Sequence, residues 1–375
     1  MTRIAGARVA VLTIFFVNGT ILGTWAAQIP LIKERLGMSE GVLGLTLLMI
    51  AAGSLVSMPS TGVLISKIGS GPIARASAIA MTLSIPLAIL APSVLWLAAA
   101  LFVIGAANGA MDVSMNAHGA VVEDRLGKAV MSSFHGMFSL GGLVGAGAAI
   151  PLLAVLDPIS HVFLIATVLF VASVLVFRLF LPGDEDRGET DSHFALPTRA
   201  TLFIGGLAFI AFLAEGAMLD WSGVYLADTM NAPAVVAASG FAAFSATMAI
   251  GRFAGDFIRS HIGATLLLAV GGLLIAIGIG LALAATTLPI TLIGFAIAGL
   301  GASNLVPILF VAASRIDPKK AGENIAAIAT IAYLGILAGP PVIGFVAEAT
   351  SLTFGLALVA ALALLITAGA RTAGR

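Results

Sequence analysis

The chain has 375 residues, of which 60% are hydrophobic and only 10% are charged. A soluble domain has roughly 45–50% apolar and 25% charged residues, so this composition excludes a soluble protein and indicates one that spans a membrane many times. The 18 basic residues balance the 18 acidic residues, and there is no cysteine. Disulfides, thiolate metal sites and cysteine nucleophiles are therefore excluded, and no basic block is present to bind nucleic acid.

Runs of about 20 apolar residues, the length that crosses a hydrocarbon core of about 30 Å, predict the membrane-spanning helices. Six runs lie in the first half of the chain, at 9–29, 41–65, 73–91, 94–117, 130–154 and 160–181. Six more follow at 201–227, 234–258, 264–284, 287–312, 324–347 and 352–370. We predict an all-α polytopic membrane protein, built from an N-terminal six-helix half (1–181), a cytoplasmic linker (182–200) and a C-terminal six-helix half (201–375).

The first apolar run is followed by no convincing small-residue cleavage site, so we expect a retained helix and not a secretory signal. The basic residues predict the orientation of the helices, because loops rich in Lys and Arg stay cytoplasmic. With the N-terminus inside, all 18 basic residues except Lys33 and Arg35 fall on the cytoplasmic side. We therefore predict a multi-pass protein of the plasma membrane, the inner membrane of a bacterium, with both termini cytoplasmic.

Three polar residues of the first span are candidate substrate-binding residues. Asn18 and Trp25 are seven residues apart and share a helix face, and Gln28 is about 60° away from it. Asn18 lies deep in the span, where a polar group needs a partner. A tryptophan near a helix end often anchors the helix at the membrane surface, so this role is the alternative for Trp25.

The fourth span carries a carboxylate inside an otherwise apolar helix. Gly105, Gly109, Asp112 and Asn116 fall within about 60° of one another on that helix. Asp112, and His135 in the fifth span, each lie about 9 Å from the cytoplasmic face at 1.5 Å per residue. A carboxyl group beside an imidazole is suited to carry protons, so we predict proton coupling by these two residues and substrate binding by Asn116. The alternative is a fixed hydrogen bond that ties the two helices together.

The seventh span carries Glu215 near mid-membrane. Ser222 shares its face, and Tyr225 is about 80° away. A carboxylate, a hydroxyl and a phenol on one side suit a hydroxylated ligand, so we predict proton coupling by Glu215 and substrate binding by the other two. Asp220 is about 140° from Glu215 and cannot share a cavity with it in an unbroken helix. We expect Asp220 in an interfacial pair or a helix cap.

The tenth and eleventh spans carry weaker candidates. Ser303, Asn304 and Pro307 lie in a glycine-rich stretch of the tenth span, where a kink is expected. Asn304 is a candidate to bind substrate without titrating, and an ordinary hydrogen bond between helices is the alternative. Tyr333 in the eleventh span is a further substrate-binding candidate.

The two halves of the chain repeat each other weakly. A shift of 196 residues sets Trp25 on Trp221, and a shift of 192 sets Asp112 on Asn304. Together with two sets of six spans, these matches favour two parallel-related halves around a central path.

The loop after the second span reads Gly62-Val-Leu-Ile-Ser66-Lys67-Ile-Gly69-Ser-Gly71. It resembles the G-x-x-x-D-[RK]-x-G-[RK] signature of major facilitator superfamily transporters, and the stretch 251–263 repeats the theme imperfectly. The resemblance implies the major facilitator fold and a motif that latches helices at the cytoplasmic gate, formed by Gly62, Lys67, Gly69, Arg252 and Asp256. Ser66 stands where the family has an acid. The fifth span also lacks the proline of the antiporter signature, which favours uptake over export.

The stretches 25–30, 115–119 and 215–222 are similar to a subgroup around MosC and YbjJ, near the fucose-permease-type sugar symporters. This resemblance implies a secondary active transporter that moves a small sugar- or cyclitol-like solute by alternating access and proton symport, and that works as a monomer. Efflux of amphiphilic or drug-like compounds by proton antiport is the alternative, because a Met- and Phe-rich interior suits such cargo. The sequence has no H-E-x-x-H motif and its five histidines are scattered, so we predict neither an enzyme nor a cofactor or metal site.

Overall fold

The computed structural model describes residues 3–183, 198–317 and 320–373, and the regular structure in these ranges is helical. The helices in chain order are α1 (Arg3–Leu36), α2 (Glu40–Ile68), α3 (Ser70–Ile89), α4 (Val94–Leu126), α5 (Met131–Leu153), α6 (Pro158–Val176), α7 (Arg199–Val224), α8 (Ala234–Ala237), α9 (Ser239–Ile262), α10 (Ala264–Ala284), α11 (Leu288–Ala302), α12 (Leu305–Ile316), α13 (Ala321–Ala349) and α14 (Leu352–Ala373). Twelve segments of the described chain are long and apolar enough to cross a membrane, and α11 and α12 together form one of them. The predicted fold class and number of spans are confirmed.

Local sequence sets several helix ends. Ser93 caps α4 by accepting a hydrogen bond from a backbone N–H at 3.3 Å, and Gly127 ends it in the left-handed conformation at φ 59°. Asp157 caps α6 by accepting from two backbone N–H groups at 2.9 and 3.0 Å. Hydrogen bonds, first of all from the Ser160 hydroxyl, hold the pKa of Asp157 below its ordinary value. These caps fix where the chain leaves each helix.

The chain divides into two compact units. Unit 1 comprises residues 1–38 and 46–190, and unit 2 comprises residues 39–45 and 191–375. In unit 1, α1 packs most extensively against α5; in unit 2, α7 packs against α13, and α10 packs against α11 and α14. Residues 184–197 of the predicted linker lie outside the described part of the chain, so the boundaries of the two halves stay a prediction.

Glycines let the backbones of α1 and α5 touch. A Cβ atom at Gly141 would overlap the carbonyl of Phe16, and one at Gly19 would overlap the carbonyl of Phe138. Gly145 faces the backbone of α1 in the same way. Small residues at a helix interface allow this approach, because no side chain separates the two backbones. The glycines of α5 therefore allow its close packing against α1.

The same turn leads from α2 into α3 and from α9 into α10. Gly69 has φ 84° and ψ 163°, and Gly263 has φ 79° and ψ 160°. Only glycine adopts this region of backbone conformation readily. The two residues are 194 positions apart, close to the shifts that relate the two halves in sequence. The weak repeat in the side chains is thus accompanied by a repeat in the backbone.

The segment after α6 closes one end of unit 1. Its Leu181 N–H donates to Nε2 of the buried His118 at 3.3 Å, and Nδ1 of His118 lies 2.8 Å from the Ser70 hydroxyl. Because Nε2 accepts, the neutral ring is assigned its proton on Nδ1, where it donates to Ser70. The Phe180 ring lies 5.0 Å from the His118 ring and 5.9 Å from the Arg75 guanidinium. These contacts hold the segment against α3 and α4.

Gly141→Ala is expected to destabilise the protein by about 1–3 kcal/mol, because the new methyl group overlaps the Phe16 carbonyl and forces α1 and α5 apart. Thermal unfolding of the purified protein in detergent measures the effect. Gly147→Ala on the same helix is the matched control, since the nearest neighbour of its Cβ is a Leu143 side-chain atom at 3.9 Å. Equal unfolding temperatures for the two variants would contradict the close packing.

Candidate functional site

An ion pair between a buried arginine and a partly buried glutamate joins α7 to α9 in unit 2. Nη2 of Arg252 lies 3.2 and 3.3 Å from the two carboxylate oxygens of Glu215. The side chains are 8% and 18% exposed, respectively. A lone charge is costly inside a membrane, whereas a hydrogen-bonded pair is tolerated. Glu215, predicted to couple protons, and Arg252, predicted to belong to the gate motif, are therefore in contact.

The tenth span breaks beside this ion pair. Ser303 and Asn304 separate α11 from α12, and Asn304 has φ −117° and ψ 1°. Pro307 lacks the backbone N–H that would bond the carbonyl of Ser303 four residues earlier. Nε of Arg252 supplies a donor instead, at 3.4 Å from that carbonyl. The expected kink is confirmed, and Arg252 connects it to Glu215.

Asn304 holds the break against α9. Its Nδ2 donates to the Gly251 carbonyl at 2.9 Å and to the Ser303 hydroxyl at 2.9 Å. Its Oδ1 lies so close to Gly255 that a Cβ atom there would overlap it. Asn304 therefore makes the hydrogen bond between helices that sequence analysis gave as the alternative to substrate binding.

Asp220 is a second carboxyl group on α7, and it is more deeply buried than Glu215. It is 7% exposed and forms no hydrogen bond or ion pair with any residue that the structure describes. Because α7 runs unbroken to Val224, Asp220 is not a helix cap. The expected cap is wrong, and the expected pair is not found among the described residues. A carboxylate buried without a partner is costly, whereas the neutral acid costs much less.

The remaining candidates of the C-terminal half take part in helix packing. The Ser222 hydroxyl donates to a backbone carbonyl of its own helix. The buried Tyr225 meets Phe295 of α11 edge-on, with ring centroids 6.3 Å apart. Tyr333 of α13 stacks on Phe212 of α7 at 5.5 Å. The structure thus keeps Ser222, Tyr225 and Tyr333 within one unit, and their role in substrate binding stays a prediction.

Buried hydrogen-bonding atoms without protein partners are concentrated on α1. Asn18, Trp25 and Gln28 are each at most 2% exposed, so Trp25 is enclosed by protein, unlike an interfacial anchor. Nδ2 of Asn18 contacts Sδ of Met115 at 3.8 Å, and Nε2 of Gln28 lies 2.9 Å from Nδ1 of His161. Asn18 Oδ1, Trp25 Nε1, Gln28 Oε1 and His161 Nε2 have no partner among the described residues.

Trp221 repeats this feature in unit 2. It follows Trp25 by 196 residues and is fully buried. Its indole N–H finds no acceptor in the described part of the chain, although a buried indole N–H usually has one. Corresponding helices of the two units therefore each carry an indole N–H group that has no acceptor among the described residues.

Asp112 and Asn116 meet on α4. Nδ2 of Asn116 donates to Oδ1 of Asp112 at 3.1 Å and to its backbone carbonyl at 2.9 Å. His135 on α5 packs edge-on against Phe15 of α1 at 5.2 Å. Coupled titration of Asp112 and His135 stays a prediction. Within the described ranges, no group of three or more His, Asp or Glu side chains is placed to hold a metal ion.

The residues of the gate motif are only partly placed. Lys67 is exposed, and a Cβ atom at Gly62 would meet nothing within 4 Å. The hydroxyl of Ser66 donates to the Val63 carbonyl of its own helix at 2.9 Å. The side chain of Asp256 lies outside the described residues. The latch at the cytoplasmic gate therefore stays a prediction.

Known proteins that resemble this chain are transporters and membrane proteins. Residues 10–340 match the model of the family described as Major Facilitator Superfamily. An uncharacterized MFS-type transporter of Yersinia pestis is 41% identical over 96% of this chain and 94% of its own length. Membrane protein MosC of Rhizobium meliloti is 32% identical over 94% of this chain and 86% of its own length. A crystal structure of a variant of the nucleoside transporter NupG has a TM-score of 0.78, covers 98% of this chain and 100% of that one, and at 11% identity shows the fold alone.

Glu215→Gln is expected to cost about 3–5 kcal/mol of stability, because it leaves the buried Arg252 without its counter-ion. The double variant Glu215→Gln/Arg252→Gln removes both charges and is expected to recover part of the loss. Denaturation in detergent measures all variants in one double-mutant cycle. The exposed Glu34→Gln is the control, expected to stay within about 0.5 kcal/mol of the wild type. Simple additivity of the two single effects would contradict an interacting pair.

Proposed function

This chain belongs to the major facilitator superfamily, and we propose that it takes up a small polar, sugar- or cyclitol-like solute by alternating access in symport with protons. Secondary transport across a membrane follows from the family. The uptake direction, the solute class and the coupling ion are proposed. One observation carries the solute class: the buried atoms of α1 and α7 that have no hydrogen-bond partner among the described residues.

The buried atoms that lack a hydrogen-bond partner in the described chain match the chemistry of a hydroxylated solute. They include the indole donors of Trp25 and Trp221 and the amide oxygens of Asn18 and Gln28. Hydroxyl groups both donate and accept, so a polyol can satisfy either kind of atom. An apolar or amphiphilic compound leaves them unpaired, at a cost of about 1–3 kcal/mol for each buried group. NupG, which shares the fold, is named as a nucleoside transporter, and nucleosides also carry hydroxyl groups.

Four ionisable residues are proposed to couple protons. Sequence analysis supports Asp112, Glu215 and His135, and the burial of Asp220 adds a fourth. Protonation of Glu215 would break an ion pair with Arg252, whereas protonation of Asp220 removes a buried charge that has no partner in the described chain. Loss of a buried charge shifts the balance between conformational states, which is how a proton can drive transport.

Uptake into proteoliposomes tests the coupling. An imposed inward proton gradient is expected to drive accumulation of a solute from a panel of polyols, sugars and nucleosides. Asp112→Asn, Glu215→Gln and Asp220→Asn are each candidates to abolish this accumulation while leaving exchange of solute without a gradient. The exposed Asp124→Asn on α4 is the matched control. If Asp112→Asn, Glu215→Gln and Asp220→Asn all accumulate solute at the wild-type rate, the proton-carrier assignment is wrong.

Trp25→Phe tests the proposed substrate contact, because it removes the indole N–H and keeps an aromatic ring. The dissociation constant of the solute is expected to rise about five- to tenfold, the effect of one lost hydrogen bond. Solute-induced thermal stabilisation of the purified protein measures it. Trp96→Phe is the matched control, since Trp96 is 52% exposed. Stabilisation by lipophilic cations alone, and by no polyol or sugar, would overturn the solute class in favour of amphiphile export.

A further inference from the structure

A cavity of about 550 Å³ lies at one end of unit 2. Arg199 at the start of α7, Arg259 near the end of α9 and Arg315 near the end of α12 line it. Much of the remaining lining is apolar and includes Phe203 and Ile308. The positive-inside rule predicts that this end faces the cytoplasm. Three arginines and several apolar side chains therefore line the same cavity, at the end of unit 2 that this rule assigns to the cytoplasmic side.

The three guanidinium groups of this cavity have no partner among the described side chains. Arg199, Arg259 and Arg315 form no hydrogen bond or ion pair with any residue that the structure describes. Arg252, two helical turns before Arg259, is in contrast bound to Glu215. Three positive charges around one cavity repel one another, and an anion bound among them would relieve that repulsion.

The corresponding end of unit 1 is filled by the chain itself. Ser70 and Ala264 each follow the turn glycine that leads into α3 and α10, so they occupy equivalent positions. Ser70 is buried and bonded to His118, which also holds Leu181. Ala264 instead lines the cavity. Over the described ranges, the position after the turn glycine is therefore covered by other residues in unit 1 and lines a cavity in unit 2.

We propose that this arginine cavity binds the headgroup of an anionic phospholipid. The planar guanidinium groups match phosphate oxygens in paired hydrogen bonds. The apolar lining around Phe203 and Ile308 receives the beginning of an acyl chain, which an inorganic anion lacks. The cytoplasmic leaflet presents anionic headgroups at its surface, and basic pockets between membrane helices bind them.

Native mass spectrometry of the purified full-length chain measures this binding directly. Phosphatidylglycerol is expected to bind in preference to phosphatidylcholine, and inorganic phosphate is not expected to displace it. The triple variant Arg199→Gln/Arg259→Gln/Arg315→Gln is expected to weaken phosphatidylglycerol binding on the order of 100-fold.

Arg8→Gln/Lys128→Gln/Arg178→Gln is the matched control, because it removes the same charge from exposed positions of unit 1. It is expected to bind within about twofold of the wild type. If the cavity variant does not fold, the three single Arg→Gln variants replace it, each with an expected loss of about fivefold. Replacement of all three arginines by lysine keeps the charge and is expected to retain the preference for the anionic lipid.

Three results would overturn the proposal. An equal loss in the cavity and control variants would show non-specific attraction to surface charge. Displacement of the lipid by inorganic phosphate would show a site for a free anion. Binding that appears only after the linker acids are neutralised, by Asp184→Asn/Glu185→Gln/Asp186→Asn, would show that the linker occupies the cavity.

Discussion

The hydrocarbon core of a membrane offers no water to a hydrogen-bonding group, and the interior of this protein is arranged around that constraint. Pro307 leaves the carbonyl of Ser303 without its helical donor, and Arg252 supplies one. The charge that Arg252 brings is neutralised by Glu215. The break at Pro307, the buried cation on α9 and the partly buried anion on α7 are therefore linked by one chain of contacts.

The same constraint makes buried polar atoms without a hydrogen-bond partner informative. Folded proteins leave few buried polar atoms unpaired, because each one costs free energy. Here several such atoms are on α1 and α7, where Trp25 and Trp221 occupy corresponding positions. Packing alone does not explain a buried indole N–H without an acceptor, since phenylalanine fills similar space. The proposed solute would supply the missing hydrogen-bond partners.

The number and order of the spans could be predicted because bilayer thickness acts directly on the length of apolar runs. The kink at Ser303 was accessible too, since a proline acts on a carbonyl only four residues away. The pairing of Glu215 with Arg252 could not be predicted, because the two residues are 37 positions apart. The sequence of a helix does not show which neighbouring helix each of its faces contacts. The burial of Asp220 could not be predicted for the same reason, because the position of a residue along a helix does not show which other helices pack over its side chain.

The turns at Gly69 and Gly263 show where an internal repeat remains visible. Their φ and ψ angles agree within 5°, although the neighbouring residues Ser70 and Ala264 differ and make different contacts. A side chain in this backbone region is strained, so a substitution for either glycine carries a cost that a substitution at the flanking positions does not. The backbone torsion angles of the two turns are therefore more similar between the units than the residues that flank the turns.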